Sequence, residues 1–356
     1  MPFYVAIQGA AKNSVLLACD EKLQIVSCLK VGPLAFHVNV NIRDELKRFL
    51  TRLAESLRLK GLSELNESMT GLAVTISGAY LEAHRVMVKE MLREIGISPQ
   101  TNLSVTEDVW ANMATNGIKT GLLASVSTGS NVFFKKSPTE FFTIGGWGSE
   151  LSDPGSGFHI GFLALRRLLE DMDGRRKATT LFKASLLETL QVTDAAQVTT
   201  WYQTLRPTCK WRCVISDLAI IVNALHEFRS DKTSLEILIQ AEKRFASSLR
   251  AAASRYVKDY SKGTDIPPLE VLIDGGVALH SKHYRDFLLQ SLGAESGICN
   301  LVKGKPFATK VRLGAMHPSV GTLSMAVGGS VDGLAPVELS KLSDAARYFP
   351  RGLSMS

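Results

Sequence analysis

A hydroxyl-rich turn with a single glycine lies within the stretch Ser125-Val126-Ser127-Thr128-Gly129-Ser130-Asn131. The backbone N–H groups of such a turn, together with the hydroxyls of Thr128 and Ser130, supply converging donors for phosphate or sugar oxygens. The same residue types between two strands also form an ordinary hairpin. The turn is therefore a candidate ligand site, with a plain hairpin as the open alternative.

A glycine-rich segment follows, Gly145-Gly146-Trp147-Gly148-Ser149-Glu150-Leu151-Ser152-Asp153-Pro154-Gly155-Ser156-Gly157, with five glycines and one tryptophan in thirteen residues. Glycines let the backbone approach a ligand closely, and Trp147 offers an apolar face to a sugar ring. Asp153 could accept hydrogen bonds from hydroxyls, or it could cap the helix that follows. Both roles for Asp153 stay open from the sequence.

The segments before this stretch alternate between strands and helices. Short apolar runs predict an antiparallel meander at 4–7, 14–18 and 24–29. Apolar residues at helical spacing predict a helix capped by Asn41 and running to about Leu59. Strands at 71–76 and 103–105 then alternate with helices at 81–95 and 108–115. This alternation predicts parallel pairing.

The segments after residue 117 repeat this pattern. The strands predicted there are 121–126, 132–134, 141–143 and 269–273, and the helical regions are 155–257, 277–292 and 318–327. We therefore expect an N-terminal lobe at 1–117 and a C-terminal lobe at 118–356, the latter with a helical insertion at about 177–262. A cleft between two such lobes would be a natural ligand site.

Composition narrows the class of protein. The chain has 356 residues, 45% hydrophobic and 21% charged, which predicts about two globular domains and excludes disordered and fibrous classes. No apolar run reaches the roughly 20 residues of a membrane span, and the start lacks a secretion signal. Five cysteines without zinc or redox spacing predict a reducing, cytoplasmic location. The net charge of +7 is dispersed, so we expect neither a nucleic-acid nor a membrane partner.

Asp108 is a candidate catalytic carboxylate. It follows the apolar strand at 103–105, with Glu107 beside it. A carboxylate there could accept the proton of a substrate hydroxyl as that oxygen attacks phosphorus. The alternative is a helix N-cap. The seven histidines show no metal-ligand pattern, so no protein-bound metal cluster is predicted.

Taken in chain order, five segments resemble N-acetylglucosamine kinase, and more loosely the ATPases that activate benzoyl-CoA reductase. They are Thr106-Glu107-Asp108, Ser127-Thr128-Gly129-Ser130-Asn131, Gly145-Gly146-Trp147-Gly148, Ser152-Asp153-Pro154-Gly155-Ser156 and Asp274-Gly275-Gly276. The resemblance covers most of the chain. It implies an α/β protein with the two-lobed, actin-like (ribonuclease H-like) ATPase fold, in which duplicated mixed sheets are flanked by helices.

The resemblance also implies roles for individual residues. Asp108 would be the base that activates the C6 hydroxyl of N-acetylglucosamine, and Thr128 would contact the ATP phosphates. The implied sugar contacts are Ser77, Ser130, Asn131, Gly146, Trp147, Gly148 and Asp153. The implied adenosine contacts are Gly275, Gly276 and, more weakly, Ala224. ATP and Mg²⁺ are the implied cofactors, the product is the 6-phosphate, and a homodimer stays an open alternative.

Departures from the family pattern cluster near the start of the chain. The family's first phosphate loop begins with an acidic residue and ends in threonine, whereas the matching run here is Ile7-Gln8-Gly9-Ala10-Ala11-Lys12. Losing one preorganised electrostatic partner costs roughly 3 to 4 kcal/mol. In addition, Phe36 stands where the family has a sugar-contacting asparagine, and Ile144 stands in place of a cysteine. A non-catalytic pseudokinase that keeps the sugar or nucleotide pocket is the alternative function.

Overall fold

The computed structural model describes residues 2–36, 41–260 and 266–347. The strands are β1 Phe3–Gly9, β2 Ser14–Asp20, β3 Ile25–Val31, β4 Met69–Ile76, β5 Asn102–Thr106, β6 Gly121–Val126, β7 Ser130–Lys135, β8 Phe141–Gly145, β9 Leu269–Asp274, β10 Ile298–Cys299 and β11 Phe307–Leu313. The helices are α1 Ile42–Ser56, α2 Leu62–Ser68, α3 Glu82–Glu94, α4 Asp108–Thr115, α5 Gly157–Met172, α6 Thr180–Leu190, α7 Ala195–Leu205, α8 Trp211–Arg229, α9 Lys232–Tyr260, α10 Gly276–His280, α11 Lys282–Ser291, α12 Ser319–Gly328 and α13 Pro336–Arg347.

The chain divides into two units, each with its own mixed sheet. The first unit combines Met1–Lys119 with Ala315–Ser356, and the second is Thr120–Gly314. The first boundary falls two residues from the expected one at 117. The segment after 314 differs from the expected division, which placed it in the C-terminal lobe.

The first unit contains a sheet in the order β3-β2-β1-β4-β5. Strands β1, β2 and β3 form the predicted antiparallel meander, whereas β4 and β5 run parallel to β1. Helix α1 buries one apolar stripe that includes Leu46, Phe49 and Leu53, and the Asn41 side chain accepts a hydrogen bond from the Asp44 N–H, as a cap does. The parallel strands β4 and β5 end at the same edge of the sheet, and the predicted Ser77 and Asp108 follow these ends.

Helix α12 explains why the end of the chain belongs to the first unit. It packs against β1, β4 and α4. Gly321 lies so close to Ala111 that a Cβ atom there would overlap the Ala111 carbonyl oxygen. The hydroxyls of Thr75 and Thr322 are hydrogen-bonded at 2.9 Å. These long-range contacts cannot be read from the local pattern of an apolar helix.

The second unit contains a sheet in the order β10-β11-β9-β6-β7-β8. Strands β6, β9 and β11 are parallel, and β7 and β8 extend the sheet as antiparallel strands. Helices α5 and α8 cross in close contact at Gly161, where a Cβ atom would overlap the carbonyl oxygen of Ile215. Parallel strands β6 and β9 end side by side at Val126 and Asp274, so their two following loops lie at one edge of this sheet.

Several element boundaries differ from the prediction. The helix predicted at 277–292 is two helices, because Ser281 ends α10 and its side chain caps α11 by accepting from the Tyr284 N–H at 3.2 Å. Strands β10 and β11 and helices α2 and α13 were not predicted. Within the described ranges, the structure contains no helix that is long and apolar enough to cross a membrane.

Candidate functional site

Asp108 and Ser77 meet at the carboxyl edge of the first unit's parallel strands. Asp108 is the first residue of α4, and its carboxylate accepts a hydrogen bond from the Ser77 hydroxyl. The backbone of Ser77 is fixed on both sides, since its N–H donates to Gly9 O at 3.3 Å and its carbonyl accepts from Phe36 N at 3.1 Å. The structure therefore brings together these two predicted residues and holds the carboxylate in place.

The two adjacent carboxyl groups of the first unit have perturbed acidities. Burial raises the pKa of Asp108, while hydrogen bonds from Ser77 and the Val109 N–H oppose that rise. Burial, followed by the nearby charge of Asp108, raises the pKa of Glu107 to about 8, and Arg85 opposes this shift. Glu107 is therefore protonated at neutral pH. It is Glu107 that occupies the N-cap position, without a side-chain capping bond, so Asp108 does not serve as the cap.

An aromatic surface adjoins this pair. Phe36 stacks on the ring of His84 with centroids 4.5 Å apart, and Tyr80 meets His84 edge-on at 5.5 Å. The His84 ring is fixed by a hydrogen bond between its Nδ1 and Gly78 O at 3.1 Å. Phe36, at the position of the expected asparagine, therefore belongs to an ordered apolar surface. Its backbone N–H is hydrogen-bonded to Ser77 O, so this surface adjoins Ser77.

The first loop begins with Ile7, a buried core residue, where the family has its acid, and the next residue, Gln8, carries an amide. Gln8 is only 5% exposed, and its Oε1 has no hydrogen-bond partner among the described residues. Its Nε2 donates to Gly9 O at 3.4 Å. A Cβ atom at Gly9 would stand 2.6 Å from Leu34 O, so glycine is required at that position. A buried carbonyl oxygen without a donor marks a place for a ligand or a bound water.

In the second unit, the hydroxyl-rich turn connects β6 to β7. It is closed by a hydrogen bond from Ser127 N to Gly129 O at 2.8 Å. Gly157 N and Phe158 N, at the start of α5, donate to the carbonyls of Ser127 and Thr128 at 2.7 and 3.1 Å. The Thr128 hydroxyl makes no hydrogen bond to any described residue, so it remains available to a ligand. The turn is thus a hairpin, and these backbone hydrogen bonds fix the main chain that carries the Thr128 hydroxyl.

The glycine-rich loop lies against this turn. Asp153 Oδ1 accepts from Gly148 N at 3.1 Å, and its Oδ2 stands 2.8 Å from where a Cβ atom of Gly129 would be. Ser156 caps α5 by accepting from His159 N, so Asp153 is not the helix cap. Burial raises the pKa of Asp153 to about 6, opposed by the Gly148 N–H and the Arg212 charge. Asp153 therefore links loop and turn while staying largely ionised at neutral pH.

The remaining predicted sugar contacts surround Asp153. Ser130 Oγ donates to Pro154 O at 2.7 Å, which ties the start of β7 to the loop. Asn131 Oδ1 is buried without a hydrogen-bond partner in the part of the chain that is described. A Cβ atom at Gly146 would stand 3.0 Å from Asn131 Cβ, and Trp147 is 60% exposed. The Asn131 amide oxygen and the exposed Trp147 indole therefore lie beside the loop, where a ligand could contact them.

The predicted adenosine residues lie at the end of β9. Gly275 has φ +100° and ψ 149°, and a Cβ atom there would overlap the backbone of Val126 at the end of β6. Gly276 begins α10, and no heavy atom lies within 4 Å of where its Cβ atom would be. Ala224 lies half-buried on α8. Gly275 is required by the fold, whereas Gly276 presents an open backbone surface.

Sequence reasoning did not single out Arg212, His84 or His159. His84 stacks on Phe36 of a distant segment, the charge of Arg212 opposes the rise in the pKa of Asp153, and the His159 ring accepts from Gly155 N. None of these interactions has a local sequence motif. Gln8 entered the sequence analysis only as part of the run that matches the first phosphate loop, and its buried, unpaired oxygen becomes visible only in the structure.

Comparisons with known proteins agree with this geometry. No family model matches the sequence. The chain is 23% identical over 256 residues to N-acetylmuramic acid/N-acetylglucosamine kinase of Clostridium acetobutylicum, covering 70% of this chain and 79% of the relative. It is 27% identical over 208 residues to N-acetyl-D-glucosamine kinase of Dictyostelium discoideum, covering 56% of this chain and 63% of the relative.

Its structure is similar to that of a Chromobacterium violaceum protein described as a candidate N-acetylglucosamine kinase. The TM-score is 0.67 at 16% identity, covering 91% of this chain and 98% of the other. The predicted α/β fold of the actin-like ATPase and sugar-kinase class is therefore confirmed. The predicted resemblance to N-acetylglucosamine kinases is confirmed by the curated relatives.

Proposed function

We propose that this protein is an ATP-dependent amino-sugar kinase that converts N-acetylglucosamine to its 6-phosphate. The observation that carries the proposal is the Asp108–Ser77 pair, a fixed and partly accessible carboxylate at the carboxyl edge of parallel strands. Ligand sites of α/β proteins form preferentially at such edges. The similarity to two curated amino-sugar kinases supports the choice of substrate.

In the proposed mechanism, Asp108 acts as general base. It accepts the proton of the sugar's 6-hydroxyl as that oxygen forms a bond to the terminal phosphorus and the bond to the departing diphosphate breaks. Ser77 orients the carboxylate and keeps its pKa from rising further. Because Glu107 is protonated at neutral pH, it adds no second negative charge beside the base.

The second unit supplies the proposed sugar contacts. Asn131 Oδ1 and Asp153 would accept hydrogen bonds from hydroxyl and amide groups, and Trp147 would pack against the ring. Ser130 and the backbone of Gly146 and Gly148 hold these groups in place. Because hydrogen bonds within the protein hold the loop, little ordering cost would accompany binding.

The second unit also supplies the proposed nucleotide contacts. The available Thr128 hydroxyl and the open surface at Gly276 fit the phosphates and the adenosine, with Ala224 on the adenine side. Mg-ATP supplies the phosphoryl group. Magnesium keeps several of its waters in proteins, and the unpaired Gln8 Oε1 fits as an acceptor for such a water. Ile7, in place of the family's acid, carries no charge, which predicts a slow enzyme rather than an inactive one.

The proposal includes a cytoplasmic location and leaves room for a homodimer. The location rests on the cysteine spacing in the sequence. Light scattering on the purified chain measures the oligomeric state directly.

Sugar phosphate formation tests the proposal. Purified protein is incubated with Mg-ATP and N-acetylglucosamine, and the 6-phosphate is quantified by ³¹P NMR. Asp108→Asn should lower kcat by about 10² to 10⁴. Glu90→Gln, which changes an exposed carboxylate of the same unit, should leave kcat unchanged. Turnover no higher in the wild type than in Asp108→Asn, across a panel of hexosamines, would refute the assignment.

The second candidate function is a non-catalytic sugar or nucleotide sensor. The uncharged first loop and the apolar surface at Phe36 favour it. Calorimetric titration separates the two functions, because a sensor binds N-acetylglucosamine or ATP with no product formed.

A further inference from the structure

A cavity of about 450 Å³ lies within the second unit, between the loop at 149–154 and helices α5, α7, α8 and α9. This volume is within the usual range for small-molecule sites. Aromatic side chains from three of these helices form a wall. Phe158 and Phe162 of α5 stack with centroids 5.8 Å apart, and Trp211 of α8 meets Phe158 edge-on at 5.1 Å. Tyr202 of α7 lies 6.3 Å from Phe162. A wall of ring faces suits the C–H surface of a sugar ring.

Arginine side chains hold these aromatic rings in place. The guanidinium of Arg206 lies over the Trp211 ring, 5.0 Å from its centroid, and is also ion-paired with Glu150 of the loop. The guanidinium of Arg166 lies over the Phe162 ring at 5.4 Å. Cation–π contacts of this kind are attractive in themselves. The wall and the loop are therefore joined, and contacts within the second unit set the shape of the cavity.

Neutral hydrogen-bonding groups accompany the aromatic wall. Ser149 Oγ is buried and has no hydrogen-bond partner among the described residues. His159 Nδ1 accepts from Gly155 N at 2.9 Å, and burial, followed by the charges of Arg244 and Arg166, lowers the pKa of the ring. The neutral ring therefore carries its proton on Nε2. A hydroxyl and an N–H donor match the hydroxyl and acyl oxygens of a sugar.

The charges of the loop are already balanced by protein groups. Glu150 is paired with Arg206, and the charge of Arg212 acts on Asp153. Arg244, exposed on α9, adds further N–H donors at the cavity. A neutral ligand that brings several oxygen acceptors therefore fits these groups.

Asp153 connects this cavity to the proposed sugar site. Its carboxylate accepts from Gly148 N at 3.1 Å, and the residue lines the cavity as well. Two large apolar side chains of the glycine-rich loop are open to solvent, Trp147 with 60% and Leu151 with 84% exposure. Exposed apolar side chains beside a pocket are typical of a ligand-binding groove. A saccharide bound at Asp153 can therefore extend along the loop to the aromatic wall.

We infer that this cavity binds a second sugar ring, so that the protein takes oligosaccharides of N-acetylhexosamines as well as the single sugar. One ring occupies the site at Asp153, and the next ring packs against the side chains of Phe162 and Tyr202. The Ser149 hydroxyl and the His159 Nε2–H donate hydrogen bonds to the oxygens of this second ring. The inference rests on the proposed function, because it assumes that the first sugar binds at Asp153.

Calorimetric titration of the full chain compares one sugar ring with two. The probes are N-acetylglucosamine, its methyl β-glycoside, and the β-1,3- and β-1,4-linked disaccharides of N-acetylglucosamine. At least one disaccharide should bind about tenfold more tightly than the methyl glycoside, because the second ring removes apolar surface from water. With Mg-ATP, the same disaccharide should gain one phosphate, which mass spectrometry detects.

Variants of the cavity locate the second ring. Tyr202→Ala should abolish the advantage of the disaccharide without changing the affinity for N-acetylglucosamine, because it removes part of the aromatic wall. Ser149→Ala keeps the wall and should reduce the same advantage by a smaller factor. Phe228→Ala removes an 80% exposed ring from α8 of the same unit and should preserve the advantage.

The outcomes distinguish the inference from the proposed function. If N-acetylglucosamine binds and neither disaccharide binds more tightly than the methyl glycoside, the inference is overturned and the proposed function stands. An advantage that both Tyr202→Ala and Ser149→Ala keep in full places the second ring elsewhere and also overturns the inference. The same holds for a disaccharide that gains no phosphate where the single sugar does. If none of the sugars binds, the proposed function fails together with the inference.

Discussion

Adding one methyl group at each of the two glycines after β9 separates the requirements of the fold from those of nucleotide binding. At Gly275, φ +100° and ψ 149° form a combination that side-chain-bearing residues essentially avoid, which costs about 1 to 3 kcal/mol. The added Cβ atom would also stand 2.6 Å from the Val126 carbonyl carbon, against about 3.4 Å for an ordinary contact. Relieving the overlap shifts the end of β6 and costs roughly 1 to 3 kcal/mol more. Gly275→Ala should therefore lower the free energy of unfolding by about 2 to 6 kcal/mol.

The same substitution at Gly276 should not lower the free energy of unfolding. Its Cβ atom would meet no heavy atom within 4 Å, and its φ lies outside the left-handed region. Because Gly276 begins a helix, alanine there should be neutral or should stabilise the fold by up to about 1 kcal/mol. If the nucleotide approaches this open surface, the methyl group keeps it away. A loss of about 1.4 kcal/mol corresponds to a tenfold weaker affinity for ATP.

Two measurements on each variant check this reasoning. Urea unfolding followed by circular dichroism gives the stability, and titration calorimetry with Mg-ATP gives the affinity. The expected pattern is a destabilised Gly275→Ala and a stable Gly276→Ala that binds ATP about tenfold more weakly. Wild-type affinity in Gly276→Ala would refute the nucleotide assignment. Wild-type stability in Gly275→Ala would refute the packing argument.

Three further predictions concern titratable groups. Because the pKa of Asp153 is about 6, protonation should raise the KM for the sugar as pH falls below 6, and Asp153→Asn should show a higher KM without this pH dependence in steady-state kinetics. Ser77→Ala removes a hydrogen bond that lowers the pKa of Asp108, so the acid limb of kcat/KM should move to higher pH, whereas Ser137→Ala should leave the profile unchanged. Burial raises the pKa of Glu242 to about 8, above its unfolded value, so its contribution to stability is present at low pH and is lost as pH rises through 8. Glu242→Gln should remove this loss, and urea-unfolding stabilities of wild type and variant that depend on pH in the same way would contradict the assignment.

Local sequence signals predicted the elements that position the site. Helix α4 and strand β6 match their predicted bounds, Asp108–Thr115 and Gly121–Val126, because turn residues and apolar runs mark both ends. The hairpin at Thr128 was also an explicit alternative. The bounds of α4 and β6 and the hairpin depend on residues that are close in sequence, so they could be predicted from the sequence alone.

The structure decided what the sequence left open, in most cases through long-range contacts. Asp153 is a local exception, because the capping bond from His159 N to Ser156 Oγ excludes it as the N-cap. The sheet on which α12 packs depends on Gly321 meeting α4, more than 200 residues earlier in the chain. Arg212 lies within α8, which carries no motif, so the effect of its charge on Asp153 could not be predicted.

The contrast between the two units bears on which function this chain retains. In the second unit, backbone hydrogen bonds to Ser127 O, Thr128 O and Ser152 O fix the turn and the loop, so their geometry is built into the fold. In the first unit, Ile7 replaces the acid of the first phosphate loop and so removes charge where phosphate chemistry needs it, but the backbone is undisturbed, since Gly9 keeps its close packing. The change at Ile7 should therefore lower kcat far more than sugar affinity. Kinase and sensor then differ in one electrostatic contribution to the rate, and sugar binding alone cannot distinguish them.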